Sequence, residues 1–159
     1  MKNQNKKNIY VVGGSGLLGK SIINALDDKI NNIINLDIKK FGNNFSFFDC
    51  TKLKSLKKNL NTQFLNYGAP NVLINCSYPI VGNWSKNNFQ NLNLENTKSN
   101  IEAHLLSYTI IANDFSKKMV SKNIKGKIIL LSSIYGFLAQ NSNNYEKTNM
   151  RENVTYTLI

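Results

Sequence analysis

The stretch Val11-Val12-Gly13-Gly14-Ser15-Gly16-Leu17-Leu18-Gly19-Lys20 decides the fold. An apolar run precedes the glycines and a segment of helical periodicity follows them, which predicts a turn between a strand and a helix. There Gly13 lets the chain turn sharply, Gly16 lets the backbone approach a pyrophosphate, and Gly19 lets the helix pack closely on the sheet. The N–H groups at the helix start would hold phosphate charge. Glycines also open many helices for packing reasons alone, but the flanking strand and helix favour a dinucleotide-binding turn.

Strand and helix patterns alternate along the whole sequence. We predict strands at residues 8–12, 33–37, 45–49, 72–75 and 127–131. Helices are predicted at 16–26, 51–67 with Thr51 as its cap, 89–121 with an allowed break near Asn96, and from Arg151 or Glu152 onward. The last predicted strand is a continuous apolar run, typical of a parallel strand covered on both faces. The alternation predicts an α/β fold, a doubly wound parallel sheet in one domain over residues 1–159.

Composition and charge narrow the class of protein. Hydrophobic residues make up 42% of the chain, enough for a core, and no apolar run is long enough for a membrane span. The polar N-terminus lacks the features of a signal peptide, so we expect a cytoplasmic protein. The net charge of +11 suggests nucleic acid, but the lysines are scattered and there is one arginine, Arg151. We therefore expect a small-molecule substrate and neither nucleic acid nor a membrane as partner.

Two carboxylates follow predicted strands. Asp37 closes the second strand, 18 residues after Gly19, where its side chain can accept both ribose hydroxyls of NAD. Lys39 and Lys40 are near enough to bind a 2′-phosphate, which leaves NADP open. Asp49 ends the third strand and can either accept from an adenine amino group or cap the next helix.

These segments, in this order and spacing, resemble the short-chain dehydrogenase/reductase family. The matching parts are the glycine turn, Asp37, Asp49-Cys50-Thr51, Val72-Leu73-Ile74-Asn75-Cys76-Ser77-Tyr78, Lys127-Ile128-Ile129-Leu130-Leu131-Ser132-Ser133-Ile134-Tyr135-Gly136 and Tyr156-Thr157-Leu158-Ile159. The segment from Tyr145 to Met150 resembles the branch that acts in flagellin modification and nonulosonic-acid pathways. The resemblance implies an NAD(P)-binding Rossmann fold and hydride transfer between a nicotinamide and a small polar, sugar-derived carbonyl or alcohol. It also implies a homo-dimer or tetramer.

The resemblance also assigns catalytic roles. Ser133 would polarise the substrate carbonyl, and Tyr156 would be the general acid/base, with Tyr145 as the competing tyrosine. His104 aligns with the family's catalytic Asn and could relay a proton or be an ordinary surface or core histidine. The family's Lys would stand at position 160, one residue past Ile159, so we expect a domain that is incomplete at its C-terminus and inactive as given.

The cofactor contacts implied are Gly13, Ser15, Gly16, Leu17, Leu18, Gly19, Asp37, Asp49, Cys50, Asn75, Cys76 and Ser77. Two positions depart from the family pattern: Leu17 stands where a glycine is common, and Tyr78 replaces a glycine beside the cofactor. A non-catalytic dinucleotide sensor on the same fold is the alternative, although such a sensor would need neither Ser133 nor Tyr156.

Overall fold

The computed structural model describes residues 6–26, 28–82, 84, 87–148 and 152–158. Five strands form one parallel sheet in the order β3-β2-β1-β4-β5. They are β1 (Lys7–Val12), β2 (Asn31–Asp37), β3 (Phe45–Phe47), β4 (Val72–Asn75) and β5 (Lys127–Leu130). The predicted doubly wound parallel sheet is confirmed. The third strand ends two residues earlier than predicted, so Asp49 lies in the loop that follows it.

Helices connect the strands. They are α1 (Leu17–Ala25), α2 (Leu53–Tyr67), α3 (Leu94–Ile101) and α4 (Ser107–Ser121). A π-helical turn (Glu102–Leu106) joins α3 to α4 without interrupting the helical path. The prediction of a helix from residue 89 is wrong at its start, because the Asn93 side chain accepts from Asn96 N and caps α3 there. The break allowed near Asn96 is also wrong, since the irregular turn lies further along.

A short 3₁₀ turn, Val154–Thr157, stands where the helix near the C-terminus was predicted, and there the Asn153 side chain accepts from Thr155 N and Tyr156 N. Two more 3₁₀ turns, Ile134–Gly136 and Ser142–Tyr145, lie in the segment before it. Arg151, one of the two predicted helix starts, lies outside the described residues. Thr51 does not cap α2: the cap residue is Lys52, without a side-chain bond, and the Thr51 hydroxyl donates to Asp49 instead.

Alternate side chains of β1, β2 and β4 enter two apolar layers. On one face Tyr10, Phe64 and Phe115 meet edge to face, with ring centroids 4.9–5.9 Å apart, and pack among α2 and α4. On the other face Ile9, Val11, Ile33 and Ile74 pack under α1. The prediction that the last strand is covered on both faces is wrong, because β5 is an edge strand and Ile128, Ile129 and Leu130 are 38–44% exposed. No described helix has the length and apolar character to cross a lipid bilayer.

Candidate cofactor and active site

The glycine turn is built to bring backbone atoms close together. Gly13 has φ +77°, and a Cβ there would lie 2.5 Å from Ser77 Cα, so no other residue fits without a shift of the β4 end. A Cβ at Gly19 would lie 2.2 Å from the Gly13 carbonyl oxygen. Gly16 is the N-cap residue of α1 and offers no side-chain bond to the first helical N–H groups. Those N–H groups therefore face the space beyond the turn, where an anion can accept from them.

A cleft of about 530 Å³ opens at this point, between the glycine turn and the carboxyl ends of β2 and β4. This volume lies in the range of small-molecule sites. Ten of the predicted cofactor residues line it: Gly13, Ser15, Gly16, Leu17, Leu18, Asp37, Asp49, Cys50, Cys76 and Ser77. Leu17 and Leu18 are 87% and 58% exposed, so the cleft has an apolar rim that a planar ring could cover.

Two of the predicted cofactor residues lie behind the cleft wall. Gly19 is buried in the contact between α1 and the turn. Asn75 is fully buried at the end of β4, where its Oδ1 accepts from Ser77 N at 3.2 Å and from Ser77 Oγ at 2.8 Å. The Tyr108 hydroxyl donates to the Ser77 carbonyl from the other side. These contacts hold Ser77 in place, so Gly19 and Asn75 shape the cleft rather than line it.

Asp37 is held at the cleft by two backbone groups. Its Oδ2 accepts from Ser15 N at 2.9 Å and its Oδ1 from Lys39 N at 3.0 Å. A carboxylate has about four acceptor sites, so each oxygen can still take a further donor. The side chain thus presents a fixed pair of acceptors beside the glycine turn.

Asp49 also lines the cleft, and its Oδ1 accepts from Thr51 N at 2.9 Å and from Thr51 Oγ1 at 2.6 Å. This local turn precedes α2 and is not the helix cap weighed from the sequence. The adenine contact of Asp49 stays a prediction.

An aromatic cluster adjoins the cleft, and Tyr78 belongs to the cluster and also lines the cleft. We define the cluster as Tyr78, Trp84, His104, Tyr135 and Tyr156. The Tyr78 ring lies 4.4 Å from the His104 ring and 5.4 Å from the Tyr156 ring, and its hydroxyl accepts from Trp84 Nε1 at 2.9 Å. Burial raises the pKa of Tyr78 to about 12, so this hydroxyl stays protonated at neutral pH.

His104 sits in the π-helical turn and is 4% exposed. Its Nε2 is buried and has no hydrogen-bond partner among the described residues. Burial lowers the pKa of His104, and the nearby Pro79 backbone opposes that shift. The imidazole is therefore neutral near pH 7.

Ser133 and the two candidate tyrosines meet around Tyr135. Ser133 Oγ accepts from Tyr135 N at 3.2 Å and starts the turn Ile134–Gly136. The Tyr135 ring lies 6.0 Å from the Tyr156 ring. Desolvation and the neighbouring Tyr135 raise the pKa of Tyr145. Both tyrosines thus border the same region, and the choice between them stays a prediction.

Sequence reasoning missed two residues of this region. The sequence predicts no role for Trp84, which donates to Tyr78, or for Asn35, whose amide lies under the glycine turn. The available signal for Asn35 was one polar residue inside the otherwise apolar stretch Ile33-Ile34-Asn35-Leu36 of an interior strand.

Comparison with known sequences gives one informative relative. The chain is 28% identical over 168 residues to the post-translational flagellin modification protein A of Campylobacter coli, covering 96% of this chain and 65% of that protein. The chain thus spans slightly less than two thirds of the length of the curated relative it matches. No protein-family model matches the sequence.

Comparison with solved structures identifies the fold. A short-chain dehydrogenase from Leptospira borgpetersenii with bound NAD⁺ aligns at a TM-score of 0.79 and 21% identity, covering 96% of this chain and 59% of that one. A 4-hydroxyisoleucine dehydrogenase complexed with NADH aligns at a TM-score of 0.74 and 24% identity, covering 96% and 63%. The Rossmann fold is confirmed, and so is the resemblance to short-chain dehydrogenases, including the branch of the flagellin modification protein.

Proposed function

We propose that this chain is the cofactor-binding part of an NAD-dependent oxidoreductase of the short-chain dehydrogenase/reductase type. Its reaction is hydride transfer between a nicotinamide and a carbonyl or secondary alcohol of a small polar, sugar-derived substrate. When bound, the cofactor supplies the site that gives or takes the hydride. The observation that carries the proposal is the Asp37 carboxylate, fixed by Ser15 N and Lys39 N beside a glycine turn whose helix start faces the same cleft.

The cleft suits NAD in shape and charge. A Cβ at position 13 or 19 would collide with backbone atoms, so both positions need glycine. A turn built from glycines leaves its backbone open to the close approach of a pyrophosphate. Asp37 offers two oriented acceptors to ribose hydroxyls and repels a 2′-phosphate. Lys39 lines the same wall and would attract that phosphate, so the preference for NAD depends on which of the two side chains faces the ribose.

Tyr156 and Ser133 border the region next to the cofactor cleft, through Tyr78 and Tyr135. In the proposal Tyr156 moves the hydroxyl proton and Ser133 donates to the substrate oxygen. A general acid/base group works best with a neighbouring charge or proton acceptor. The His104 ring lies 4.4 Å from the Tyr78 ring and its Nε2 has no partner among the described residues, and we assign it to a proton relay.

The substrate assignment rests on two supports. The aromatic cluster offers ring faces and hydroxyl groups, which suit the alternating apolar and polar surface of a sugar. The similarity to a flagellin modification protein points to the same class of compound. We place the enzyme in the cytoplasm, where the described free cysteines Cys50 and Cys76 stay reduced, and expect a homo-dimer or tetramer.

The test combines cofactor binding with turnover, and turnover is measured on the complete gene product, because the present chain covers only 65% of its relative's length. NAD and NADP titrations by intrinsic fluorescence measure the affinity of each cofactor without a substrate. Turnover is followed by nicotinamide absorbance over a panel of free sugars and nucleotide-linked sugars. Tyr156→Phe is compared with Tyr145→Phe, because each substitution removes one phenolic hydroxyl and leaves the ring in place.

We expect NAD to bind more tightly than NADP. Tyr156→Phe should lower kcat by about 10²- to 10⁴-fold, the range for general acid/base groups, while Tyr145→Phe stays within a few-fold of the parent. The reverse pattern would assign the proton transfer to Tyr145. NAD binding with no turnover on any sugar would contradict the enzyme assignment and support a dinucleotide sensor. A parent protein that binds neither NAD nor NADP would overturn the proposal altogether.

A further inference from the structure

Asn35 lies in the middle of β2 and is 3% exposed, yet it carries an amide. Its Nδ2 donates to Ser15 Oγ at 3.0 Å, in the glycine turn, and to the Phe41 carbonyl at 2.8 Å, in the loop after β2. A single side chain therefore ties together the glycine turn and the loop after β2, which both border the cleft beside Asp37. We call Asn35, its two bonds and Ser15 Oγ the Asn35 bracket.

Ser15 extends the bracket to Lys39. The Ser15 hydroxyl accepts from Asn35 and donates to the Lys39 carbonyl, so both of its hydrogen-bonding functions are used inside the protein. Asp37 bridges the same segments, from Ser15 N to Lys39 N. Lys39 is thus held by its N–H and by its carbonyl. The positions of Asp37 and Lys39 in the cleft follow from this network.

The bracket has a feature that packing does not explain. Asn35 Oδ1 is buried and has no hydrogen-bond partner in the described part of the chain. It lies 2.3 Å from where a Cβ of Gly14 would stand, so the amide fits only under a glycine. An apolar side chain, like those of the neighbouring Ile33 and Ile34, would avoid a buried unpaired acceptor. An amide whose oxygen is buried without a partner, but whose nitrogen bonds both segments beside the cleft, points to a role at the cofactor.

We propose that Asn35 is a positioning residue that sets the preference for NAD over NADP, by locking the loop of residues 38–41 onto the glycine turn. This inference rests on the proposed function. With the bracket intact, the Asp37 carboxylate faces the ribose, and the backbone of Lys39 is held on both sides. Without it, the loop moves, the acceptors of Asp37 lose their alignment, and Lys39 gains freedom to reach a 2′-phosphate.

The expected signature is a change in the ratio of two affinities. Asn35→Ala removes the two donors that join the segments and should weaken NAD binding about tenfold, equivalent to about 1.4 kcal/mol. NADP affinity should change less than threefold or improve. Ser15→Ala removes the shared hydroxyl but keeps the N–H that binds Asp37, and should change the ratio in the same direction. Because both substitutions break one bond in common, their effects in the double variant should be less than additive.

Asn32→Ala is the matched control. Asn32 is on the same strand and is exposed, and its Nδ2 donates to Asn8 Oδ1 at the opposite end of the sheet, at 3.0 Å. It should leave both affinities unchanged. All variants are made in the protein as encoded, and affinities come from fluorescence titration below each variant's Tm, which needs no turnover.

The outcomes separate the two proposals. A parent protein that binds neither cofactor contradicts the proposed function. A parent that prefers NAD, with Asn35→Ala weakening NAD and NADP by equal factors, shows that Asn35 only supports the fold and overturns the inference. Where Asn35→Ala does not fold, Ser15→Ala decides: an unchanged ratio in that variant overturns the inference as well.

Discussion

A methyl group added at Gly19 tests whether close backbone contact builds the cofactor cleft. The Cβ of Gly19→Ala would lie 2.2 Å from the Gly13 carbonyl oxygen and 2.5 Å from Gly14 Cα. Non-bonded heavy atoms sit at about 3.5 Å or more, so α1 must move away from the turn by about 1 Å. Both neighbours are backbone atoms, which places the cost near the upper end of overpacking, about 3 kcal/mol.

Alanine also favours the helix by about 1 kcal/mol over glycine, which offsets part of this cost. The net loss in the free energy of unfolding is therefore about 2 kcal/mol, or a fall in Tm of about 4–8 °C for a chain of this size. The displaced helix start should also weaken NAD binding, because its N–H groups no longer meet the phosphates. Thermal unfolding followed by circular dichroism, and fluorescence titration with NAD, measure the two effects.

Gly136→Ala is the control for stability. A Cβ at Gly136 meets no atom within 4 Å, so its Tm should change by no more than about 2 °C. A Gly19→Ala protein with the parent Tm and the parent affinity for NAD would refute the reasoning. It would mean that the contact between α1 and the turn is not as close as the structure has it.

Three further predictions follow from buried groups. Because burial lowers the pKa of His104, the unfolded chain binds a proton more readily, so the free energy of unfolding should fall as pH drops from 7 toward 5, by at most about 1.4 kcal/mol per pH unit. Urea titrations at these pH values should show that the free energy of unfolding of His104→Asn does not fall in this way. If it still falls with pH, a group other than His104 causes the change. Tyr10→Phe removes a buried hydroxyl that donates to the Gly68 carbonyl at 2.7 Å, and should lower Tm by about 2–4 °C for a loss of about 1 kcal/mol; calorimetry showing no change would place that carbonyl in contact with solvent. Burial raises the pKa of Cys76 to about 11, so alkylation by iodoacetamide at pH 8 should be at least about a hundredfold slower than for an ordinary thiol, and NAD should slow it further; rapid labelling of Cys76 in the folded protein would show that the thiol is exposed.

Local patterns predicted the frame of the molecule well. Short, mostly apolar segments predicted the five strands of the sheet, although β3 ends earlier than predicted and β5 is exposed. The glycine turn and Asp37 were predicted at one edge, because the carboxyl ends of parallel strands share it. The errors lie where one local pattern is compatible with two structures. The start of α3 depends on the Asn93 side-chain bond, and the exposure of β5 depends on its position at the sheet edge.

Contacts between distant segments account for what the sequence pattern missed. Tyr78 meets Tyr156 from a position 78 residues away, and Asn35 bonds Ser15, which lies 20 residues earlier in the chain. No periodicity encodes such pairs, because each depends on the side-chain directions of two elements at once. The π-helical turn that carries His104 is likewise hidden, since its residues read as ordinary helix.

The amino-acid sequence by itself determined the parallel sheet, the glycine turn and the carboxylate at the end of β2, because burial periodicity and the missing side chains of glycine act locally. Only the tertiary structure decided which polar groups are used up inside the protein and which remain for a ligand. The Ser15 hydroxyl donates to the Lys39 carbonyl and accepts from Asn35, whereas His104 Nε2 has no hydrogen-bond partner among the described residues. Hydrogen bonding is settled by distance and direction in space, and those are properties of the folded chain.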